Sequence, residues 1–326
     1  MTRPRILVTH PLFEPARKIL EQHGDVDYWT AAERPPRADF LKRVADTDGL
    51  VCLLTEKVDE ELLTAAPKLR IAATVSVGYD NLDVPACTRH HVAATNTPGV
   101  LDKTTADFAW TLMMAAARRL VEGDSLIRAG LWNGWNLDQF CGADVWGKTL
   151  GLMGFGRIGR EMARRASGFD MLVIYFNRTR APREVEESLH AEYVSADRLL
   201  AESDFVSLHV PLTAETRHLM NAETLKKMKR TAILINTTRG PVVDEAALVE
   251  ALTAGTIAGA ALDVFEREPA VNPGLIPMKN VVLAPHMGSA SLETRTKMAV
   301  IAAENVAALF GGRRPPNLLN PDAIGG

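Results

Sequence analysis

Three residues have side chains suited to carboxylate binding and proton transfer, and each follows an apolar run that predicts a buried strand. Arg239 follows "ILINTT", Glu268 lies in "LDVFEREP", and His286 ends "VVLAPH". Since open parallel sheets bind ligands beyond the carboxyl ends of their strands, we expect these side chains to converge. Histidine exchanges protons near neutral pH, a carboxylate beside it favours the imidazolium, and arginine holds a carboxylate through two hydrogen bonds. Glu266 is a second candidate for the acid.

A glycine-rich segment, "KTLGLMGFGRIGREMARRA", follows a predicted strand and opens a predicted helix. Gly154 permits a tight turn, Gly156 lets a pyrophosphate approach the backbone, and Gly159 lets the helix pack against the strand. The helix N-terminus adds N–H groups and a partial positive charge. This context predicts a dinucleotide coenzyme, whose hydride would reduce a 2-oxo acid with a proton from the histidine. The alternative is a structural turn without a ligand.

The stretch "VIYFNRTR" predicts which coenzyme binds. Dinucleotide-binding folds usually carry an acid at this point, which holds the ribose hydroxyls and would repel a 2′-phosphate. Asn177 removes that charge, Arg178 and Arg180 can bind a phosphate, and Thr179 adds a hydroxyl. We therefore predict NADP(H) in preference to NAD(H). NAD(H) stays the alternative if both arginines face solvent.

The elements that must position these residues form two α/β series, and a length of 326 residues also suggests two domains. Four apolar runs and their helices precede residue 101, and six strands with intervening helices match a complete doubly wound sheet. The helical tail, 291–312, needs a surface to pack on. The predicted fold class is α/β: a parallel-sheet (Rossmann) nucleotide domain, 102–287, inserted into a smaller flavodoxin-like substrate domain, 1–101 and 288–326. A cleft between them is the expected ligand site.

The composition excludes several other classes of protein. A net charge of −3, with the basic residues scattered, argues against nucleic-acid binding. No apolar run is long enough for a membrane helix or a signal-peptide core, so we expect a cytoplasmic protein without membrane contact. The three cysteines are far apart, which predicts neither disulfides nor a metal site.

Six segments in order resemble the D-isomer-specific 2-hydroxyacid dehydrogenases, over essentially the whole chain. They are "VSVGYDNLD", "TTADFAW", "GFGRIG", "LINTTRGPVVDEAAL", "LDVFEREP" and "LAPHMGSAS". Within that family the chain is most similar to the glyoxylate/hydroxypyruvate reductases, some of which also act on 2-ketogluconate. Asn177, where many members carry an aspartate, is shared with the NADPH-preferring reductases. Ser76 stands near a position where phosphite-oxidising relatives carry a lysine, which disfavours that activity.

The resemblance implies a role for each matched residue. Arg239 would bind the carboxylate and carbonyl of a small 2-oxo or 2-hydroxy acid, and the backbone of Val77 and Gly78 would also hold the carboxylate. Glu268 and His286 would form the proton-donating pair, with His286 contacting the substrate. The implied coenzyme contacts beyond residues 177–180 are Gly154, Phe155, Gly156, Arg157, Ile158, Gly159, Pro211, Thr237, Asp263 (on the carboxamide), Gly288 and Thr105.

The resemblance also implies a homodimer, because residues 101–147 are similar to the dimerisation arm of the family. Trp135 is our candidate for a residue that reaches the partner's active site, and burial of the tryptophans in their own core is the alternative. The sequence thus predicts an NADPH-dependent reductase of glyoxylate and hydroxypyruvate. One alternative is a D-lactate-type or broad 2-ketoacid reductase. Another is a coenzyme-sensing binding protein like the C-terminal-binding corepressors, which share the Arg-Glu-His set.

Overall fold

The computed structural model describes residues 3–31 and 36–324, which form two compact units. The first unit comprises the chain up to Leu101 and again from Ala290, and the second comprises Asp102–Ser289. No helix in the described ranges is long and apolar enough to cross a membrane.

The first unit has a five-stranded parallel sheet in the order β2-β1-β3-β4-β5, the flavodoxin-like order. Its strands are β1 (Arg5–Val8), β2 (Asp25–Tyr28), β3 (Gly49–Cys52), β4 (Ile71–Thr74) and β5 (Ala93–Thr95). Its helices are α1 (Glu14–His23), α2 (Arg37–Val44), α3 (Glu60–Ala65), α4 (Val84–Arg89) and the C-terminal α12 (Leu292–Phe310). Every position of β3, β4 and β5 is buried, as expected of a parallel sheet covered on both faces.

The tail helix α12 lies between a capping serine and a glycine. The Ser291 hydroxyl accepts a hydrogen bond from the Thr294 N–H (3.1 Å) at the N-terminus, and Gly311 follows the last turn. Ala299, Ala302, Ala303 and Val306 pack in one buried cluster with residues of β1, β3, β4 and α1. The small side chains let the helix lie close against the sheet.

The second unit has a seven-stranded parallel sheet in the order β12-β11-β10-β9-β6-β7-β8, which is the Rossmann order with one further strand. Its strands are β6 (Thr149–Met153), β7 (Leu172–Phe176), β8 (Ala191–Tyr193), β9 (Phe205–Leu208), β10 (Ile233–Asn236), β11 (Gly259–Leu262) and β12 (Val281–Leu283). Its helices are α5 (Asp102–Ala117), α6 (Leu120–Arg128), α7 (Arg157–Ala166), α8 (Arg183–Leu189), α9 (Ala196–Glu202), α10 (Ala222–Lys226) and α11 (Glu245–Thr253).

Two strands are absent from the sequence prediction, and both are edge strands. β2 has the sequence DVDY with no fully buried position, and β8 is the three-residue AEY. Short edge strands with polar residues carry little of the continuous apolar signal that marks central parallel strands.

The helix expected over 101–130 is divided in two. Arg119 adopts a left-handed conformation (φ +52°) between α5 and α6. The carbonyl of Ala117, at the end of α5, accepts from the N–H of Ala143 (2.9 Å). A Cβ on Gly142 would lie 2.1 Å from that carbonyl oxygen, so this approach requires glycine. A contact with a segment distant in the chain therefore ends the helix.

Candidate active site

The second unit brings His286 and Glu268 together. Glu268 lies beyond β11 and His286 beyond β12, and Nδ1 of His286 is 2.9 Å from Oε2 of Glu268. Both side chains are about three-quarters buried, with 28% and 26% of their surface exposed. The second carboxylate oxygen, Oε1, accepts from the N–H of Phe265 (3.1 Å). The pairing fixes the orientation of the ring and commits its Nδ1 to Glu268.

Three partners keep Glu268 ionised. Burial raises the pKa of this carboxyl, but the hydrogen bond and charge of His286, the N–H of Phe265 and the charge of Arg239 together lower the pKa below its usual value. Glu268 is therefore a charged acceptor for Nδ1 of His286.

Arg239 stands on a turn that Asn236 organises. Asn236, fully buried at the end of β10, accepts from the N–H (3.0 Å) and hydroxyl (2.8 Å) of Thr238 and donates to the carbonyl of Arg239 (3.0 Å). The Arg239 guanidinium donates to the carbonyl of Thr238 (2.9 Å). Because its charge lowers the pKa of Glu268, Arg239 belongs to the same electrostatic neighbourhood as the acid–histidine pair.

Asp263 holds the segment that carries His286. Its oxygens accept from the N–H groups of Met287 (2.5 Å) and Gly288 (2.8 Å), and its backbone carbonyl accepts from the N–H of His286 (2.9 Å). His286 has φ +53°, a left-handed conformation that non-glycine residues rarely adopt. Burial raises the pKa of Asp263, although the hydrogen bonds from the N–H groups of Met287 and Gly288 act to lower it. The structure thus gives Asp263 a supporting contact with His286 beside its predicted coenzyme contact.

The glycine loop has an anion-binding geometry. Gly154 has φ +99°, and a Cβ there would lie 2.5 Å from the carbonyl oxygen of His209. A Cβ on Gly159 would lie 2.3 Å from the carbonyl oxygen of Gly154, whereas one on Gly156 would meet nothing within 4 Å. Gly156 precedes α7, which begins at Arg157 and has no side-chain cap. No described residue accepts from the N–H groups of Arg157 and Ile158, which adjoin the open space at Gly156, as a pyrophosphate site needs.

The predicted 2′-phosphate segment follows β7. Asn177 donates to the carbonyl of Thr179 (2.8 Å), which closes the turn. Arg180 forms two hydrogen bonds with the carboxylate of Glu186, 2.9 Å from Nε and 2.8 Å from Nη2. Hydrogen bonds from Arg180 and then Tyr175 lower the pKa of Glu186 to about 2. Arg180 is thus held in an ion pair that the sequence did not predict. Arg178 forms no such ion pair with a described residue, but it lies near Glu215, whose pKa is lowered by a hydrogen bond from Thr213 and, to a smaller extent, by the charge of Arg178.

Of the remaining predicted coenzyme residues, Pro211, Thr237 and Gly288 follow strands of the same unit, and Thr105 lies in α5. Pro211 follows β9, and its carbonyl accepts from Thr216 (2.6 Å). Thr237 follows β10, and its buried hydroxyl has no hydrogen-bond partner within the described residues. A Cβ on Gly288 would lie 3.3 Å from the Cγ2 of Thr105, so these two residues are neighbours. An open N-terminal cradle and an unpartnered buried hydroxyl fit a bound dinucleotide.

Val77 and Gly78 lie in the first unit, in the loop that follows β4. Their carbonyls are both engaged: Asn96 donates to that of Val77 (2.8 Å), and Ser76 donates to that of Gly78 (2.6 Å). Their two N–H groups have no acceptor in the part of the chain that the structure describes. Adjacent unpaired N–H groups form a concave donor site that suits a carboxylate.

The sequence analysis missed four supporting residues, which are Asn96, Asn236, Glu186 and His218. Glu266 was the alternative acid, and the structure pairs it with His218 (2.6 Å) instead of His286. Asn96 directly follows β5 and Asn236 is the last residue of β10, and this position at a strand end was the available signal. The sequence contains no signal for Glu186, because an acidic residue in a charged helix is usually exposed to solvent.

A Rossmann unit with an acid–histidine pair and an arginine beyond its strands defines a class, the dinucleotide-dependent oxidoreductases that act on small carboxylates. A family profile described as "D-isomer specific 2-hydroxyacid dehydrogenase, NAD binding domain" matches residues 110–288. The chain is 51% identical over 326 residues to a glyoxylate reductase of Thermococcus litoralis, covering 99% of this chain and 98% of that one. The protein belongs to the D-isomer specific 2-hydroxyacid dehydrogenase family and is an oxidoreductase.

Solved structures agree with this assignment. A protein from Thermus thermophilus matches with a TM-score of 0.91 at 42% identity, over 97% of this chain and 99% of that one. An NADPH-dependent glyoxylate/hydroxypyruvate reductase from Sinorhizobium meliloti, solved with NADP and malonate, matches with a TM-score of 0.86 at 35% identity, over 99% and 98%. The predicted family and fold class are confirmed.

Proposed function

We propose that this protein reduces glyoxylate and hydroxypyruvate to the corresponding 2-hydroxy acids with NADPH, and that 2-ketogluconate is a further candidate substrate. The observation that carries the proposal is the 2.9 Å contact between His286 and Glu268, in the unit that also holds Arg239 and the glycine loop. The curated relative at 51% identity is named a glyoxylate reductase, which supports the same substrate class.

In this proposal the guanidinium of Arg239 binds the substrate carboxylate and polarises the carbonyl. The bound coenzyme supplies the hydride that reduces the carbonyl carbon. With Nδ1 committed to Glu268, Nε2 of His286 donates the proton to the carbonyl oxygen, and Glu268 stabilises the imidazolium beforehand. The reverse reaction returns the proton to the same nitrogen.

The test of this function is kcat/KM measured with NADPH and NADH, using glyoxylate, hydroxypyruvate, 2-ketogluconate and pyruvate in parallel. We expect glyoxylate or hydroxypyruvate to be the best substrate with NADPH. Pyruvate as the best substrate would move the chain to the D-lactate-type alternative. Tight NADPH binding with negligible turnover of every oxo acid would support the coenzyme-sensing alternative instead.

We propose that Arg178 is the main ligand of the 2′-phosphate, because Arg180 is held by Glu186. The double variant Asn177→Asp/Arg178→Ser restores the ribose-binding acid and removes this cation. It is expected to lower the NADPH/NADH ratio of kcat/KM by about 10- to 100-fold, the value of one hydrogen bond to a charged group. Arg183→Ser is the control, since Arg183 is 85% exposed and bonds to Glu187 on α8. An unchanged ratio in the double variant would mean that the phosphate is bound elsewhere.

We also propose that the chain forms a homodimer through residues 120–146. Eight large apolar side chains there are exposed, and α6 has no buried residue. They are Leu120, Val121, Ile127, Leu131, Trp132, Trp135, Leu137 and Trp146. Such a patch is typical of a surface that a partner covers.

Sedimentation equilibrium is expected to give about twice the 35.5 kDa chain mass, and Trp132→Glu/Leu137→Glu should shift the protein towards monomer. Leu172→Glu is the control, because Leu172 is equally exposed (67%) on β7, outside the patch. A wild-type protein that stays monomeric at micromolar concentration would refute the dimer.

A further inference from the structure

His218 contacts two loops of the second unit at once. Its N–H donates to the carbonyl of Pro241 (2.8 Å), in the loop that carries Arg239. Its Nε2 lies 2.6 Å from Oε1 of Glu266, in the loop that carries Glu268. His218 has φ +51°, so its backbone is held in a conformation that a non-glycine residue adopts only with support.

Glu266 forms a reciprocal pair with Glu245 across the same two loops. The N–H of Glu266 donates to Oε1 of Glu245 (2.7 Å), and the N–H of Glu245 donates to Oε2 of Glu266 (3.3 Å). Glu245 is the first residue of α11, immediately after the loop of Arg239, and only 6% of its surface is exposed. Glu266 therefore has one oxygen towards His218 and the other towards α11, which ties its position to three segments.

The two loops touch where their functional residues begin. A Cβ on Gly240 would lie 1.8 Å from the carbonyl carbon of Phe265 and 2.4 Å from the nitrogen of Glu266, so the backbones are in direct contact. The next residue back from Gly240 is Arg239, and the N–H of Phe265 donates to Glu268 (3.1 Å). A shift of Glu266 would therefore move the arginine and the acid relative to each other.

We propose that His218 and Glu266 are positioning residues, which hold the loop of Arg239 (237–244) and the loop of Glu268 (263–270) in one arrangement. The inference rests on the proposed function, because it assigns these residues to the geometry of that reaction. Glu266 faces His218 and not His286, so neither residue exchanges a proton with the substrate. Their effect is on the placement of the carboxylate-binding and proton-donating groups, where an error of about 1 Å can cost about 100-fold in rate.

The test compares Glu266→Ala and Glu266→Gln. The alanine variant is expected to lose about tenfold or more in kcat, whereas the Kd for NADPH measured by calorimetry stays within about twofold, because the glycine loop is untouched. Glutamine can still accept from the N–H of Glu245 and donate to a neutral ring nitrogen of His218, so it should recover most of the rate. A merely structural role would lower Tm without this division between kcat, coenzyme affinity and rescue.

His218→Ala and the double variant His218→Ala/Glu266→Ala complete a double-mutant cycle with Glu266→Ala. If the residues act as one pair, their effects on kcat will be clearly less than additive. The control is Asp197→Ala, which removes an exposed ion pair with Lys227 (2.7 Å) in the same unit and should leave kcat unchanged. If Glu266→Ala does not fold, His218→Ala decides, because that side chain is 39% exposed and its removal leaves the core intact.

Two failures are distinguishable. A wild-type protein that reduces neither glyoxylate nor hydroxypyruvate refutes the proposed function, and the positioning role falls with it. An active wild type whose Glu266→Ala or His218→Ala variant keeps kcat within about twofold refutes the positioning role alone. Equal losses in Glu266→Gln and Glu266→Ala, or strictly additive effects in the cycle, would also overturn it.

Discussion

His286→Gln is expected to lower kcat/KM for the reduction of glyoxylate or hydroxypyruvate by about 100- to 10,000-fold, the usual contribution of a positioned general acid. Glutamine keeps a polar group near the Glu268 carboxylate, which lies 2.9 Å from the native ring, but it has no proton to give at neutral pH. Because His286 is distant in sequence from the glycine loop, the Kd for NADPH should change little. The measurement is steady-state turnover beside calorimetric NADPH binding.

The control for this variant is His190→Gln, an exposed histidine at the end of α8. Glu268→Gln adds a check on pH dependence. The pKa of Glu268 lies below its usual value in the folded protein, so this carboxylate is charged at neutral pH and protonates only as the pH falls well into the acid range. Removing the carboxylate should lower the reduction rate over the whole neutral range and not only in acid, because the His286 ring loses the acceptor that fixes its Nδ1. A Glu268→Gln variant with wild-type turnover at neutral pH would contradict the pair.

The parts of the site that the sequence predicted are those that follow strong local patterns. Each of Arg239, Glu268 and His286 follows an apolar run, and the topology of a parallel sheet then places all three at one edge. The three glycines of the phosphate loop could be assigned because a tight turn, the approach of a pyrophosphate to the backbone, and close packing of helix on strand each need glycine. At Gly154 and Gly159 a Cβ would indeed collide with a backbone carbonyl oxygen. Periodicity and strand order were sufficient for these features.

The rest depends on contacts between segments distant in the chain. The path of one loop decides whether Glu266 or Glu268 faces His286. The two acids are only two positions apart, so the sequence does not distinguish them. The ion pair of Arg180 depends on Glu186, which is buried against Tyr175 as a consequence of tertiary packing. The break at Arg119 depends on residues 142 and 143, which return to the end of α5. Local propensity does not predict contacts between residues that are distant in the chain.

Arg239→Ala is expected to lower kcat/KM for oxo acids by about 100- to 10,000-fold. Two hydrogen bonds to a charged carboxylate contribute about 1.5–3 kcal/mol each, and each step of about 1.4 kcal/mol is a factor of ten. The loss should appear largely in KM, because the carboxylate is bound in the ground state, with a further decrease in kcat if the guanidinium also polarises the carbonyl. NADPH binding, measured by calorimetry, should be unchanged, and a near-normal rate would remove Arg239 from the site.

Arg239→Lys separates charge from geometry. Lysine keeps the positive charge but not the planar pair of parallel donors, so it should restore only part of the lost kcat/KM. Full recovery would mean that Arg239 acts as a simple cation, and the parallel hydrogen bonds would be excluded. Arg267→Ala is the matched control, because it removes an equal charge from the same neighbourhood. Arg267 is exposed and lies between Glu266 and Glu268. If Arg267→Ala lowers kcat/KM as much as Arg239→Ala, the effect belongs to the general positive potential of this edge and not to a bound carboxylate.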